Sequence, residues 1–268
     1  MIRAGIWPIV AVASVVVAAA QTSEEADTTI TADRPGFATP PGVLGRGVAE
    51  IEGGVTFSVD TAEHTRERTV TLGSPLMRFG VGRSIELRVA GDGFLFRGDE
   101  SPGHSTAAGW SDLALGAKIA VVHERRNFPA ISLLPSIVTP TGDRAFTNST
   151  YDPGLGIAAF KTLPAGLSLT GTITGTSISE ERVRHGQSAS AIAIWFPAPA
   201  RSAGYIEMYA VASEGPGGAS TRTFDGGFSR NFGPNLQVDI EAGRRMYSGR
   251  PCWFVATGFA WRRIPGRS

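Results

Sequence analysis

The sequence predicts an all-β protein, a transmembrane antiparallel up-and-down β-barrel of about 12 strands behind a cleaved signal peptide. Three observations predict it. Apolar and polar residues alternate with a period of two, as between Ser84 and Phe96, where Ile85, Leu87 and Val89 take one face and Glu86, Arg88 and Asp92 the other. Residues 1–20 have the layout of an export signal: Arg3, an apolar stretch from Ile6 to Val17, then Ala18-Ala19-Ala20. The connections between strands alternate between long polar ones and short ones, which suits external loops and periplasmic turns. A soluble sandwich also alternates; the mid-strand charges behind an export signal favour a lipid-facing outside and a polar lumen.

Composition agrees. The chain of 268 residues holds 34 Gly and 17 Pro with 42% hydrophobic residues, which fits many short strands and turns. Cys252 is the sole cysteine, so no intramolecular disulfide forms. Beyond the signal there is no apolar run of about 18 residues for a spanning helix. The alternative for residues 1–20, a membrane anchor, is disfavoured by the short apolar run and by Pro8 inside it. Cleavage removes Arg3 and takes the formal charge from +1 to zero, which argues against nucleic acid as a partner. No cofactor is expected.

The arm, residues 21–45, starts acidic and passes into Asp33-Arg34-Pro35-Gly36-Phe37-Ala38-Thr39-Pro40-Pro41-Gly42. Its prolines cannot donate to a ladder, so it is either a solvated periplasmic tether or a segment that enters the barrel mouth. Residues 46–262 are the barrel. Strands are expected at about 46–60, 68–79 (with Pro75 at a bulge or kink), 84–96, 110–122, 128–139, 155–163, 167–178, 188–196, 204–213, 221–230, 236–242 (or on to Tyr247) and 252–262. Loops are expected at 61–67, 97–109, 140–154, 179–187 and 214–220. Residues 263–268 form a C-terminal tail.

Alternation places Glu50, Glu52, Glu86, Arg88, Asp92, Asp112, Lys118, Glu207, Asp239 and Glu241 inward, as the pore lining. The competing reading is a lumen filled by ion pairs with no open pore, since a barrel of about 12 strands lies between the filled and the open sizes. Acids outnumber bases in this set, which favours water, an arm residue such as Arg34, or cationic solutes as their partners. Asp33, Arg34, Pro35 and Phe37 are the candidate constriction, with Arg34 directed at the acidic lumen and Phe37 available for burial. Phe57, Phe79, Trp195, Phe228, Phe259 and Trp261 are expected outward, as an interfacial girdle.

Several segments carry a resemblance: Asp33-Arg34-Pro35-Gly36-Phe37, Glu50-Ile51-Glu52-Gly53-Gly54, Arg78-Phe79-Gly80 with Glu86-Leu87-Arg88, and Gly109-Trp110-Ser111-Asp112-Leu113 ahead of Lys118. Pro140-Thr141-Gly142-Asp143 and Tyr151-Asp152-Pro153-Gly154 complete it. In this order they resemble the outer-membrane transporter family of the meta-pathway of phenol degradation, over residues 30–262. The resemblance implies a Gram-negative outer-membrane channel for passive uptake of small solutes, hydrophobic or aromatic ones included. Its partners would be the solute, outer-membrane lipid and, during biogenesis, the barrel-assembly machinery. The chain departs from the aromatic C-terminus usual for such barrels: Phe259 and Trp261 precede Arg262-Arg263-Ile264-Pro265-Gly266-Arg267-Ser268, so either recognition tolerates a tail or Trp261 stands in internally for the terminal residue.

Two other functions compete. One is a closed structural or adhesion barrel that works through its external loops. The other is a barrel lipase or deacylase, which needs a nucleophile beside a base. His64, His104 and His185 fall in expected external loops and His123 in a periplasmic turn; Ser105 and Ser188 lie near histidines, but there is no G-x-S-x-G elbow. No enzyme is expected on this basis. Asp143 and Asp152 could share a loop calcium, though no spacing specifies a metal.

Overall fold

The structure is a computed structural model that describes residues 29–62, 65–100, 105–180, 183–212, 220–247 and 250–265. The expected signal peptide, the start of the arm, His64, His104 and the last residues of the tail lie outside these.

Among the described residues fourteen strand segments form one antiparallel sheet that closes on itself: β1 (Ala49–Ala62), β2 (Thr65–Gly80), β3 (Ile85–Gly91), β4 (Gly93–Asp99), β5 (Thr106–Trp110), β6 (Leu113–Val122), β7 (Ala130–Thr139), β8 (Asp152–Thr162), β9 (Ser168–Glu180), β10 (Val183–Ala198), β11 (Ser202–Ala212), β12 (Thr221–Asn231), β13 (Leu236–Tyr247) and β14 (Arg250–Arg263). β3 and β4 pair with the two halves of β2, and in turn with β6 and β5. Each of these two couples therefore makes one stave, and the barrel has twelve. Closure is by β1 against β14, from Ala49↔Arg263 to Asp60↔Cys252. This closure pairs the staves across the lipid, as the bilayer requires of a sheet; among the described residues β5 pairs with β4 alone.

The side chains are sorted as the alternation predicts, apolar outward. Leu87 is 51% exposed and Ile206 61%, whereas Glu86 and Lys118 are 0% exposed. Phe57, Phe79, Phe228, Phe259 and Trp261 are all exposed on the outer face. Trp195 is not. It stacks on Tyr205 at 4.7 Å inside the barrel, while Ile192 and Ile194 take the lipid face of β10. Its parity with inward Ala191 and Ala193 decides this, and the girdle assignment for Trp195 is wrong.

A seam of irregularity crosses four neighbouring staves. The β1–β2 register shifts between Glu52 and Gly54, opposite Gly73-Ser74-Pro75, where Gly73 (φ 100) and Ser74 (φ 35) leave the β region. Pro75 has no N–H for the ladder, so the expected bulge sits there. The seam continues through Asp92, whose carbonyl accepts from Ser74 N–H at 3.1 Å, and through Ser111-Asp112 between β5 and β6. On β2 the break reverses which residue parity faces lipid, since Leu72 before it and Met77 after it are both exposed, whereas on β1 Ile51 and Val55 keep the same parity.

Expected loop lengths need correction at the external end. Pairing continues to Ala62↔Thr65 in β1–β2, to Glu180↔Val183 in β9–β10 and to Tyr247↔Arg250 in β13–β14. The polar stretches there extend the strands. Above the lipid both faces meet water, so the apolar alternation that marks a strand disappears while backbone pairing persists. The long connection between β7 and β8 remains, and Asp112 and Asp143 tie it to the barrel through Gly142 N–H and Trp110 N–H.

Candidate functional site

The buried apolar clusters are small and lie where residues 29–44 meet the inner wall: Ala38 with Ala191, Ala193 and Tyr205, and Ile30 and Ala32 with Ala260. This arm forms no strand. It enters at the periplasmic end, where Ile30 N–H donates to Pro234 in the β12–β13 turn. It then makes a circuit of the lumen, held mainly by wall carboxylates that accept its backbone N–H groups.

The contacts follow one another around the wall. Glu52 on β1 accepts the N–H groups of Asp33 and Arg34, each at 3.0 Å. Arg34 forms a two-pronged pair with Asp239 on β13, at 3.2 and 3.0 Å. Its guanidinium lies over Gly54 and Gly258, where any Cβ would collide with it. Glu241 accepts Gly36 N–H at 2.9 Å, and Glu207 on β11 accepts both Phe37 and Ala38 N–H at 2.7 Å. Thr39 exchanges bonds with Thr172 on β9, and Ser132 on β7 donates to the Pro41 carbonyl at 2.6 Å. Lys118 on β6 donates to the carbonyls of Pro40 and Gly42, and Glu86 on β3 accepts Leu44 N–H at 2.8 Å. The arm thus spans the bore.

Asp33 is the electrostatic centre of one side. Its carboxylate meets Arg88 at 2.6 Å, Lys118 at 2.8 Å and Arg78 at 3.3 Å. Burial would push its carboxyl up, but these cations outweigh burial and hold it well below the usual carboxylate range. Burial would lower the Arg34 guanidinium, yet Asp239, Glu241 and Glu52 raise it instead. Arg78 also binds Glu50 at 2.6 Å and Glu86 at 2.9 Å.

Of the residues expected to line a pore, Glu50, Glu52, Glu86, Arg88, Lys118, Glu207, Asp239 and Glu241 come together around the arm. Asp92 sits in the seam, faces the outer lumen and feels the charge of Arg245 from β13. Asp112 is placed elsewhere. It accepts Gly142 N–H, Asn148 N–H and the Thr147 hydroxyl, and so anchors the external loop. The seam accounts for this: at a bulge, alternation no longer says which way a side chain points.

Beneath the arm, toward the periplasm, lies a cavity of about 730 Å³ bounded by Ile30, Arg34 and Pro40 of the arm and by Phe160, Trp195 and Gln237 of the wall.

The family described as "Putative MetA-pathway of phenol degradation" matches residues 32–263, arm and barrel together. The chain belongs to this family. Its fold is similar to that of an outer membrane channel from Pseudomonas putida F1, with 13% sequence identity and a TM-score of 0.62 over 82% of this chain and 97% of that one. It is also similar to the transport unit of the autotransporter AIDA-I from Escherichia coli, with 12% identity and a TM-score of 0.50 over 80% and 89% of the two chains. No curated protein matches the sequence. The family assignment and the lipid-facing belt place this chain in the outer membrane of a Gram-negative cell.

Sequence reasoning missed Arg78, Tyr205, Tyr209 and Asp225. Arg78 lies between outward Met77 and Phe79, which is signal enough once the Pro75 bulge resets the parity. Tyr205 and Tyr209 flank Glu207 at spacings of two, so an inward Glu207 makes them inward as well. For the enzyme reading, His185 and Ser188 both lie on β10 three positions apart, hence on opposite faces, and cannot meet as base and nucleophile.

Proposed function

We propose that this family member is an outer-membrane channel for passive uptake of small solutes, hydrophobic and aromatic ones included, and that residues 29–44 are its plug. One observation carries the reading. The arm crosses the lumen on single hydrogen bonds and ion pairs and takes no part in the ladder, so it can leave without opening the sheet. The eight inward charges around it would then line the exposed bore and set its selectivity. The cavity below the arm supports a continuous path, since it already links the plug to the periplasmic mouth.

Deleting residues 30–41 and recording in planar bilayers tests this. The deletion should give larger or more frequent openings and faster swelling of liposomes in small solutes. Unchanged conductance would remove the channel reading. It would favour the second one, a closed barrel acting through its external loops, to which the complete ring of arm contacts lends some support.

A further inference from the structure

At the arm tip, Phe37 lies flat on Tyr209, with ring centroids 4.3 Å apart and planes 7° from parallel, and Phe254 meets it edge-on at 6.4 Å. This stack is the floor of the outer lumen, and Phe37 remains 37% exposed there. A solute descending from outside past Arg245 meets the arm here.

The wall beside the stack is unfinished. Asp225 on β12 stands opposite Glu207 on β11, and Thr223 stands opposite Tyr209, all on the inner face. Asp225 is 8% exposed and Thr223 0%. Neither carboxylate oxygen of Asp225 nor the Thr223 hydroxyl has a hydrogen-bond partner. The nearby Tyr205 hydroxyl gives its single proton to Glu241. A buried carboxylate without a donor is costly, and native structures seldom keep one. The Phe254 ring and the Asp225 side chain share the space above Gly243, where a Cβ would strike both.

Charge adds a direction. Glu207, Asp225, Asp239 and Glu241 share this inner wall. Arg34 is bonded to Asp239. Arg245, one row nearer the exterior opposite Thr223, acts on Asp92 and Cys252. Carboxylates remain in excess. An aromatic floor next to an unpaired carboxylate is the chemistry that recognises an organic cation through ring stacking, cation–π attraction and a charge-assisted hydrogen bond.

We propose that Phe37 holds the place of a solute ring, and that the site it covers takes a small arylalkylammonium cation. The solute ring stacks on Tyr209 in place of Phe37, and its ammonium donates to Asp225 and Thr223, the groups that Phe37 leaves without donors. The solute thereby displaces the arm tip. This deepens the channel reading and rests on it, since the ring must arrive through the lumen.

Binding to the purified full-length protein in detergent, measured by calorimetry, tests the site without requiring permeation. The probes share one ring: phenethylammonium, 2-phenylethanol and phenylacetate. Phenethylammonium should bind at least tenfold more tightly than the alcohol, about 1.4 kcal/mol, and phenylacetate should not bind. Asp225→Asn should abolish the preference of ammonium over alcohol. Phe37→Ala should tighten the ammonium and the alcohol alike. Equal affinity for the three probes, a preference that survives Asp225→Asn, or no binding even to Phe37→Ala would overturn the site. None of these results bears on the arm-deletion conductance, so failure of the site and failure of the channel reading stay distinct.

Discussion

Arg34→Ala should unseat the arm. Asp239 is 2% exposed, and the Arg34 guanidinium is the side chain that meets both its oxygens. Removing one partner of a buried ion pair leaves the other charge uncompensated, at a cost of about 3–5 kcal/mol. The Arg34 side chain is itself 16% exposed, so some water already screens the pair and the lower end applies. The barrel need not bear this cost. With the arm out, water fills the seat over Gly54 and Gly258 and hydrates Asp239. A shift of about 3 kcal/mol in the seating equilibrium is roughly a 100-fold rise in the unseated population. Open probability in planar bilayers reads that population. Asp239→Asn in the Arg34→Ala background removes the orphaned charge and should restore most of the closed state, a coupling that a double-mutant cycle isolates. An Arg34→Ala channel as closed as the parent, or one that Asp239→Asn leaves equally open, would refute the reasoning.

Four more outcomes are expected. Leu87→Arg places a charge on the lipid face and should cost about 2–4 kcal/mol near the midplane, seen as a lower melting point of the folded band on heated gels. Glu86→Gln should also destabilise, because Glu86 accepts bonds from Arg78, Arg88 and Leu44 N–H; a mild change in selectivity alone would contradict this ion network. For pH, the folded pKa of Asp33 lies below its ordinary 3.8, so its contribution to seating is complete above that value and is lost only as pH falls through the depressed one. The difference in open probability between Asp33→Asn and the parent should therefore be constant from neutral pH to about pH 5, and a difference that shrinks in that window would count against the tri-cation seat. Asp112→Ala frees three donors of the β7–β8 loop and should speed trypsin cleavage at Arg144 with the barrel's melting point unchanged; equal cleavage rates would show that Asp112 does not hold the loop.

The barrel was legible because lipid imposes a strict rule on strands, and Ile51, Leu87 and Ile206 obey it residue by residue. Legibility stopped where that rule does not act. Beyond the membrane both strand faces are wet, so residues near Ala62 and Thr65 read as loop although they pair. At the seam an extra residue reverses the parity, which hid Arg78 and misplaced Asp112. Inside the lumen a residue's type does not reveal its neighbours: Trp195 looked like a girdle residue and faces the arm. The arm's polar and apolar handles, Arg34 and Phe37, stood out in sequence. Their partners Asp239 and Tyr209 are about two hundred residues away in the chain, and only closure of the barrel brings them together.

The central claim is that residues 29–44 close the lumen and must move for solute to pass. Thr39 and Thr172 touch through hydrogen bonds of 2.8 and 3.2 Å, so Thr39→Cys with Thr172→Cys, in a Cys252→Ser background, can tie the arm to β9. Solute flux into liposomes, measured before and after reduction, is the direct measurement. The account predicts negligible flux with the disulfide closed and recovery to the level of the untied protein once it is reduced. Equal flux in the two states would contradict it.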